Sequence, residues 1–347
     1  MTRMTGICIV GWDIGGVNTK VSRAVPGADG RYRIDRTCLR PYEIQRDPGA
    51  LAPLLTALAN EVGAGASDVH AVTMTAELSQ MFRTKRDGVA FVLDAVAAAF
   101  SAARIFGTDG AFHDLAAARA APMVVAAANW VATATWVASL LRDAMLIDIG
   151  STTTDIVPVI GGHVVAIGRT DPARLASGEL LYMGALRTPV EAVVHAVPVG
   201  GGWAGVSAEG FTILGDVHLW RGTLAPEVYT VPTPDGRPAT RLFAGERIAR
   251  VVCADRELLD DAAVSAIADF VAESQVARTA TAIARVRERH PALDVAVVAG
   301  VGAFVADAAA RRAGLSVRHL AESLGPAGAD SAPSAAVALL LAAQLAQ

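Results

Sequence analysis

Two acidic segments, Asp13-Ile-Gly-Gly-Val-Asn-Thr-Lys20 and Asp148-Ile-Gly-Ser-Thr-Thr-Thr-Asp155, lie 135 residues apart and repeat one plan. An apolar run carries an Asp to its end, a turn of small residues follows, and a second strand begins. Ile7-Cys-Ile-Val10 and Met145-Leu-Ile147 are short and rich in branched residues, the composition of buried strands. Gly15-Gly16 and Gly150-Ser151 allow a tight turn that presents backbone N–H groups at close range, which suits phosphate oxygens. The hydroxyls of Ser151, Thr152, Thr153 and Thr154 add donors on the second side. Two carboxylates converging on one phosphate would repel it, so the pair implies a hard cation such as Mg²⁺, held by Asp13 and Asp148 directly or through water. Lys20 is then a charge partner for a terminal phosphate, and Asp155 is a third metal candidate further along its hairpin. A single Asp-x-Gly-Gly turn is commonplace in hairpins; the duplication is what reads as a phosphate clamp in two halves.

The surrounding pattern predicts an α/β chain of two lobes of similar plan. Strands near 7–13, 19–25 and 31–38 open the first lobe, followed by a helix after Asp47-Pro48, a strand at Val69 to Met74, a helix over 88–103 and a strand at 104–106. The second lobe restarts with strands at 144–149, 153–160 and 163–168, then a long helix over 258–289, a strand at 293–299 and an Ala-rich helix after Pro333. The expected boundaries are 1–120 for the first lobe, 121–142 for a helix crossing between lobes and 143–347 for the second lobe, with the last helix free to return to the first. Ala121 to Leu141 holds no charge over 21 residues, a length that could span a bilayer. Its apolar content is mostly Ala, interrupted by Asn129, Thr133, Thr135 and Ser139, and a buried helix with Pro122 in its first turn is the expected form. The stretch 170–245 is dense in Gly and Pro and reads as an insertion carrying specificity.

Composition narrows the function classes. With 30 Lys and Arg against 34 Asp and Glu, a net charge of −4 and no basic run, a nucleic-acid partner is excluded. Cys8, Cys38 and Cys253 are odd in number and far apart, which points to a reducing cytoplasm and away from a disulfide or zinc framework. Met1 to Gly6 is too short and polar for a signal peptide. His195, His218, Glu209 and Asp216 lack metal-site spacing, Trp130 and Trp136 read as core, and the arginines of Arg285-Val-Arg287-Glu-Arg289 oppose a helix C-terminal dipole. Exposed Ala-rich helices would permit a homodimer.

The two turns resemble the first and second phosphate motifs of the actin, sugar kinase and heat-shock-protein ATPase superfamily. Val295-Ala-Val-Val-Ala-Gly300-Val-Gly302, an apolar strand running into Gly-x-Gly at a helix start, is similar to its adenosine motif. The resemblance implies a two-lobed actin-like ATPase fold of the ribonuclease H-like kind, with a cleft between the lobes. It also implies a phosphate-binding role for Gly15, Gly16, Lys20, Gly150, Ser151, Thr152, Thr153, Gly300 and Gly302.

A narrower resemblance covers nearly the whole chain. Arg169-Thr-Asp171, Leu175 to Gly184, Arg187-Thr-Pro189, Ala208-Glu209 through Asp216-Val217, Thr75-Ala-Glu-Leu78 with Phe82, and Asn129-Trp130 resemble the hydantoinase A/oxoprolinase-like proteins of tetrahydromethanopterin-linked one-carbon metabolism. That likeness implies a transferase of methanofuran or methylofuran biosynthesis. It would join an aminomethylfuran-methyl diphosphate to the phenol of a γ-glutamyl-tyramine or tyrosine-like acceptor, releasing pyrophosphate. Asp13 and Asp148 would be catalytic through the metal. Glu77, just past the strand 69–74, is the candidate base for the phenol proton; an exposed Glu opening a helix is the plain alternative. Asn129, Arg187 and Glu209 are assigned to the acceptor, Arg187 as a bidentate grip on its carboxylate, with an exposed surface Arg as the plain alternative. Two other classes stay open: an ATP-dependent kinase or amidohydrolase with ATP in the clamp, and a nucleotide-responsive binding protein without chemistry.

Overall fold

The computed structural model describes residues 6–346; Met1 to Thr5 and Gln347, and with them most of the stretch read as too short for a signal peptide, lie outside the described residues. In chain order the elements are β1 (Ile9–Ile14), β2 (Asn18–Pro26), β3 (Tyr32–Pro41), α1 (Leu51–Glu61), β4 (Val69–Met74), α2 (Lys85–Ala99), β5 (Ala103–Phe106), β6 (Phe112–His113), α3 (Leu115–Ala120), α4 (Pro122–Val125) and α5 (Asn129–Leu140). Then come β7 (Ala144–Ile149), β8 (Thr154–Ile160), β9 (His163–Val164), α6 (Asp171–Ser177), β10 (Leu180–Leu181), β11 (Ala196–Val199), β12 (Gly202–Gly205), α7 (Leu214–Arg221), α8 (Arg241–Arg250), α9 (Asp261–Glu288), β13 (Val295–Ala299), α10 (Ala303–Arg312), β14 (Ser316–His319), α11 (Ala321–Asp330) and α12 (Ala332–Leu345). Packing divides the chain into two compact units. One holds the chain up to Ala144, Val157–Asp171 and the chain from His319; the other holds Met145–Ile156 and Pro172–Arg318.

The first sheet runs β3-β2-β1-β4-β5-β6. β1 pairs antiparallel with β2, setting Asp13 opposite Lys20, and parallel with β4, setting Asp13 beside Thr73. All six residues of β1 are buried, because helices cover both faces of a mostly parallel sheet centre. One cover is α12, whose approach depends on Gly11: a Cβ there would stand 1.9 Å from the Ser334 carbonyl oxygen and 2.8 Å from the Ala338 Cβ. The hydroxyls of Ser22 and Ser334 meet at 2.7 Å across the same contact. On the other side Leu51, Leu55, Leu58, Val89, Val92, Leu93 and Val96 of α1 and α2 form a core with Val10, Trp12, Ile14, Val72 and Met74.

The second sheet runs β10-β8-β7-β13-β14, with β7 and β13 parallel and Asp148 beside Ala299. Ile147, Ile149 and Val298 pack against Ile283, Val286, Val305 and Ala306 of α9 and α10. A second core joins α7, α8 and α9 through Leu214, Val217, Ile248, Val264, Ile267 and Val271. Inside it the fully buried Asp216 accepts from Arg247 Nε at 2.9 Å and Nη2 at 2.6 Å, and from the Tyr229 hydroxyl at 2.9 Å. His218, also buried, bonds Gln275 at 2.8 Å. Asp216, from the family-like segment, and His218, just after it, are therefore core residues of the second unit.

Several expectations need correction. The single helix expected over 121–142 is two, α4 and α5, because Ala127 takes a positive φ of 48° and breaks the run; Ala is a strong helix former, so composition hid the break. Among the described residues no helix is long and apolar enough to cross a membrane. The Ala-rich C-terminal helix is not exposed: Ala332, Ala335, Ala336, Ala338 and Ala342 are all buried. The strand read over 163–168 ends at Val164, and the helix read from 88 begins at Lys85. The Gly- and Pro-rich stretch holds α6, β10, β11, β12, α7 and the first half of α8.

Candidate functional site

The two acidic turns share the same backbone hydrogen bonds. In the first unit the Gly15 N–H donates to the Asn18 carbonyl at 3.0 Å; in the second the Gly150 N–H donates to the Thr153 carbonyl at 2.9 Å. The residue before each glycine is braced from the neighbouring parallel strand: Thr75, just past β4, donates its N–H to Ile14 at 2.9 Å, and Gly302, just past β13, donates to Ile149 at 2.8 Å. The N–H groups of Gly15, Gly150 and Gly302 are thus bonded inside the protein and shape the turns. Among the described residues the N–H groups of Gly16, Val17, Ser151 and Thr152 carry no backbone hydrogen bond, and they are the donors each turn offers.

Close backbone contacts hold the second turn. Gly184 packs so tightly that a Cβ would lie 2.5 Å from both the Ser151 carbonyl carbon and the Thr152 nitrogen. The N–H groups of Ala185, Leu186 and Arg187 then donate to the carbonyls of Gly150 and Ser151 at 2.9 to 3.1 Å. Gly300, at a φ of +82°, sits where a Cβ would meet Asp148 Oδ1 at 2.4 Å, leaving that carboxylate room. Gly300 and Gly302 are both buried, and their visible part is packing against Asp148 and Ile149. Asp155 pairs with the buried Arg174 at 2.9 Å, which gives that carboxylate a structural partner.

Glu77 carries the most unusual chemistry of the first unit. It lies in a short 3-10 turn, Ala76–Leu78, directly after β4, and is 1% exposed. The burial comes from α2, where Gly88 lets the helix close on the turn; a Cβ there would meet the Glu77 carbonyl oxygen at 2.4 Å. Neither carboxylate oxygen has a hydrogen-bond partner among the described residues. Its one charged neighbour within ion-pair range is Lys85, whose Nζ stands 3.7 Å from Oε1, too far for a hydrogen bond. Burial pushes the Glu77 carboxyl up to about 7, with Lys85 pulling against it. The alternative of an exposed Glu opening a helix is overturned by this burial.

The sequence singles out Asp171 only within the family-like segment Arg169-Thr-Asp171 and assigns no role to Lys85. Lys85 Nζ lies 2.5 Å from Asp171 Oδ2, so one cation joins two carboxylates. The signal was present: Thr84 and Asp87 form a capping box, which makes Lys85 the first residue of α2. A cation at a helix N-terminus opposes the macrodipole and calls for anionic partners.

The remaining candidates are dispersed. Lys20 is half-buried on β2, and its charge opposes the burial effect on Asp330. Asn129 is half-buried at the first residue of α5, Trp130 beside it is buried, and Trp136 is half-buried. Arg187 is exposed, just after the backbone that wraps the second turn, and Glu209 is exposed in the loop before α7. The arginines closing α9 bond carbonyls: Arg285 to Ala176, Arg287 to Leu293 and Ala313, and Arg289 to Ser177.

Residues 68–344 match the family model described as hydantoinase/oxoprolinase. The chain belongs to the hydantoinase/oxoprolinase family. Within it, the chain is 33% identical over 341 residues to the (4-{4-[2-(gamma-L-glutamylamino)ethyl]phenoxymethyl}furan-2-yl)methanamine synthase of Methanocaldococcus jannaschii, covering 98% of this chain and 99% of that protein. The synthase of the same name from Methanococcus vannielii is 40% identical over 114 residues, 33% of this chain and 51% of that protein. Among solved structures, nucleotide-free acetone carboxylase superposes with a TM-score of 0.57 at 13% identity, over 95% of this chain and 70% of that one. The (R)-2-hydroxyglutaryl-CoA dehydratase component A of Acidaminococcus fermentans superposes with a TM-score of 0.51 at 11% identity, over 98% of this chain and all of that one. These likenesses show the fold, that of the actin-like ATPases and sugar kinases, for this family member.

Proposed function

We propose that this protein is a transferase that builds an aryl ether: it joins an aminomethylfuran-methyl diphosphate to the phenol of a γ-glutamyl-tyramine or tyrosine-like acceptor and releases pyrophosphate. The observation that carries this reading is the full-length match to a synthase whose named product is a phenoxymethyl-furan. In that reaction the bond from the furan-methyl carbon to the diphosphate oxygen breaks, the phenol oxygen bonds the same carbon, and the phenol proton leaves to a base. A furan-methyl carbon stabilises positive charge much as a benzylic carbon does, so the chief demand on the protein is stabilising the departing diphosphate.

The residues suit those tasks. Asp13 and Asp148 each stand near the end of a strand before a turn with open N–H donors, and a divalent cation beside either carboxylate would supply charge to the leaving group. Among the described residues no three His, Cys, Asp or Glu gather as a metal cluster. One or two carboxylates completed by phosphate and water is the usual Mg²⁺ arrangement, so the donor set fits. The open N–H groups of each turn, Gly16 and Val17 in one unit and Ser151 and Thr152 in the other, suit diphosphate oxygens. Glu77 would accept the phenol proton, and a carboxyl raised to about 7 is matched to neutral pH as a base. Arg187, exposed beside the second turn, would meet the acceptor carboxylate.

The test incubates the protein and Mg²⁺ with the furan-methyl diphosphate and candidate phenols, reading pyrophosphate and the ether mass. Asp148→Asn should lower turnover by about a hundredfold or more while keeping the circular dichroism of the parent, the scale of losing one preorganised electrostatic contact. Undiminished turnover removes Asp148 from the site. Conversion of ATP to ADP without ether formation would favour the kinase or amidohydrolase reading instead.

A further inference from the structure

We infer that Lys85, anchored by Asp171, is the positioning residue that keeps the Glu77 carboxyl ionised for its part in the reaction. This rests on Glu77 acting as the base. Three facts of geometry carry it. Glu77 is buried with no hydrogen-bond partner on either carboxylate oxygen among the described residues, and the charge of Lys85 is the largest influence favouring its ionised form. Lys85 is the cation within reach, and it sits at the first residue of a helix that would otherwise disfavour it. Asp171 holds Lys85 at 2.5 Å, setting the ammonium 3.7 Å from Glu77, near enough to attract the charge and too far to occupy a lone pair. A base must keep that lone pair open to accept a proton. The charged groups acting on Glu77 are Lys85 from the start of α2 and Asp171 from the start of α6, and Gly88 of α2 packs against the Glu77 backbone.

The two partners act in opposite senses. Lys85 favours the carboxylate, and Asp171 disfavours it by its own charge while holding Lys85 at a distance. Lys85→Met should therefore raise the Glu77 midpoint by about one pH unit or more, and Asp171→Asn should lower it, since the second change removes a like charge and releases Lys85 to close on Glu77. Lys85→Arg should stay near the parent.

Two readouts are taken on the full chain. The first is a pH titration of the ¹³C-labelled glutamate carboxyl signal that Glu77→Gln removes, and the second is the acid limb of kcat/KM for ether formation. Opposite movements in Lys85→Met and Asp171→Asn, seen in both readouts, are the expected result; loss of packing alone would not move the two variants in opposite directions. An unmoved Glu77 signal in Lys85→Met, in a protein that still makes the ether, overturns the pairing and leaves the reaction standing. Signals that move as expected in a protein that makes no ether overturn the reaction and leave the pairing standing.

Discussion

Glu77 shows what a single side chain costs the fold when its charge is disfavoured. Its carboxyl has an ordinary value of 4.5 and is raised to about 7 by burial. Between those values the native state keeps a proton that the unfolded chain has released, so the native state binds more protons and stability falls as pH rises across that window. Above about 7 the loss is complete, an upper bound of about 3 kcal/mol from the size of the shift. Glu77→Gln removes the titration. The variant should match the parent below the ordinary carboxyl range and unfold at higher urea at pH 8, while losing ether formation. Equal urea midpoints at pH 8 would show that the carboxyl is relaxed in the fold. Such a trade of stability for reactivity is what a buried, unbonded base implies.

Elements were more legible than their partners. The strands carrying Asp13, Asp148 and the approach to Glu77 could be read because each is a short branched-residue run ended by a turn signal, and 69–74 and 144–149 fall where expected. The start of α2 was not read, because Gly88 looks like a helix boundary when it is in fact the contact that lets α2 bury Glu77. Break points set by tertiary context, such as Ala127, have no local signature. Gly184 is a similar case: its sequence says only that a turn is near, whereas in space it abuts the second turn at Ser151 and Thr152. Gly184→Ala should displace that turn and weaken pyrophosphate binding by about tenfold, measured by calorimetry, with a smaller effect on melting; unchanged binding would remove the turn from diphosphate recognition.

At the scale of the whole molecule, the duplication that organises the sequence also organises the backbone. Each turn has the same internal hydrogen bond at one constant offset, and each is braced by an N–H from just past the neighbouring parallel strand. What differs is the residue at the end of the repeat. Lys20 is a half-buried cation, whereas Asp155 is a carboxylate held by Arg174, so equivalent positions serve different local needs. The second unit also rests on a charged core that no hydrophobic pattern announced. Arg247→Met strands Asp216 without its cation and should destabilise by about 3–5 kcal/mol, read by urea unfolding. Adding Asp216→Asn should recover part of that loss, and a double variant no better than the single would show that packing, not charge, is at stake.

The seat of α12 on β1 sets an order of events during synthesis. Gly11 and Ser22 belong to strands made before their helical cover, residues 332–345. Until that helix leaves the ribosome, one side of the first sheet is bare and sticky, which makes the nascent chain a natural client for chaperones.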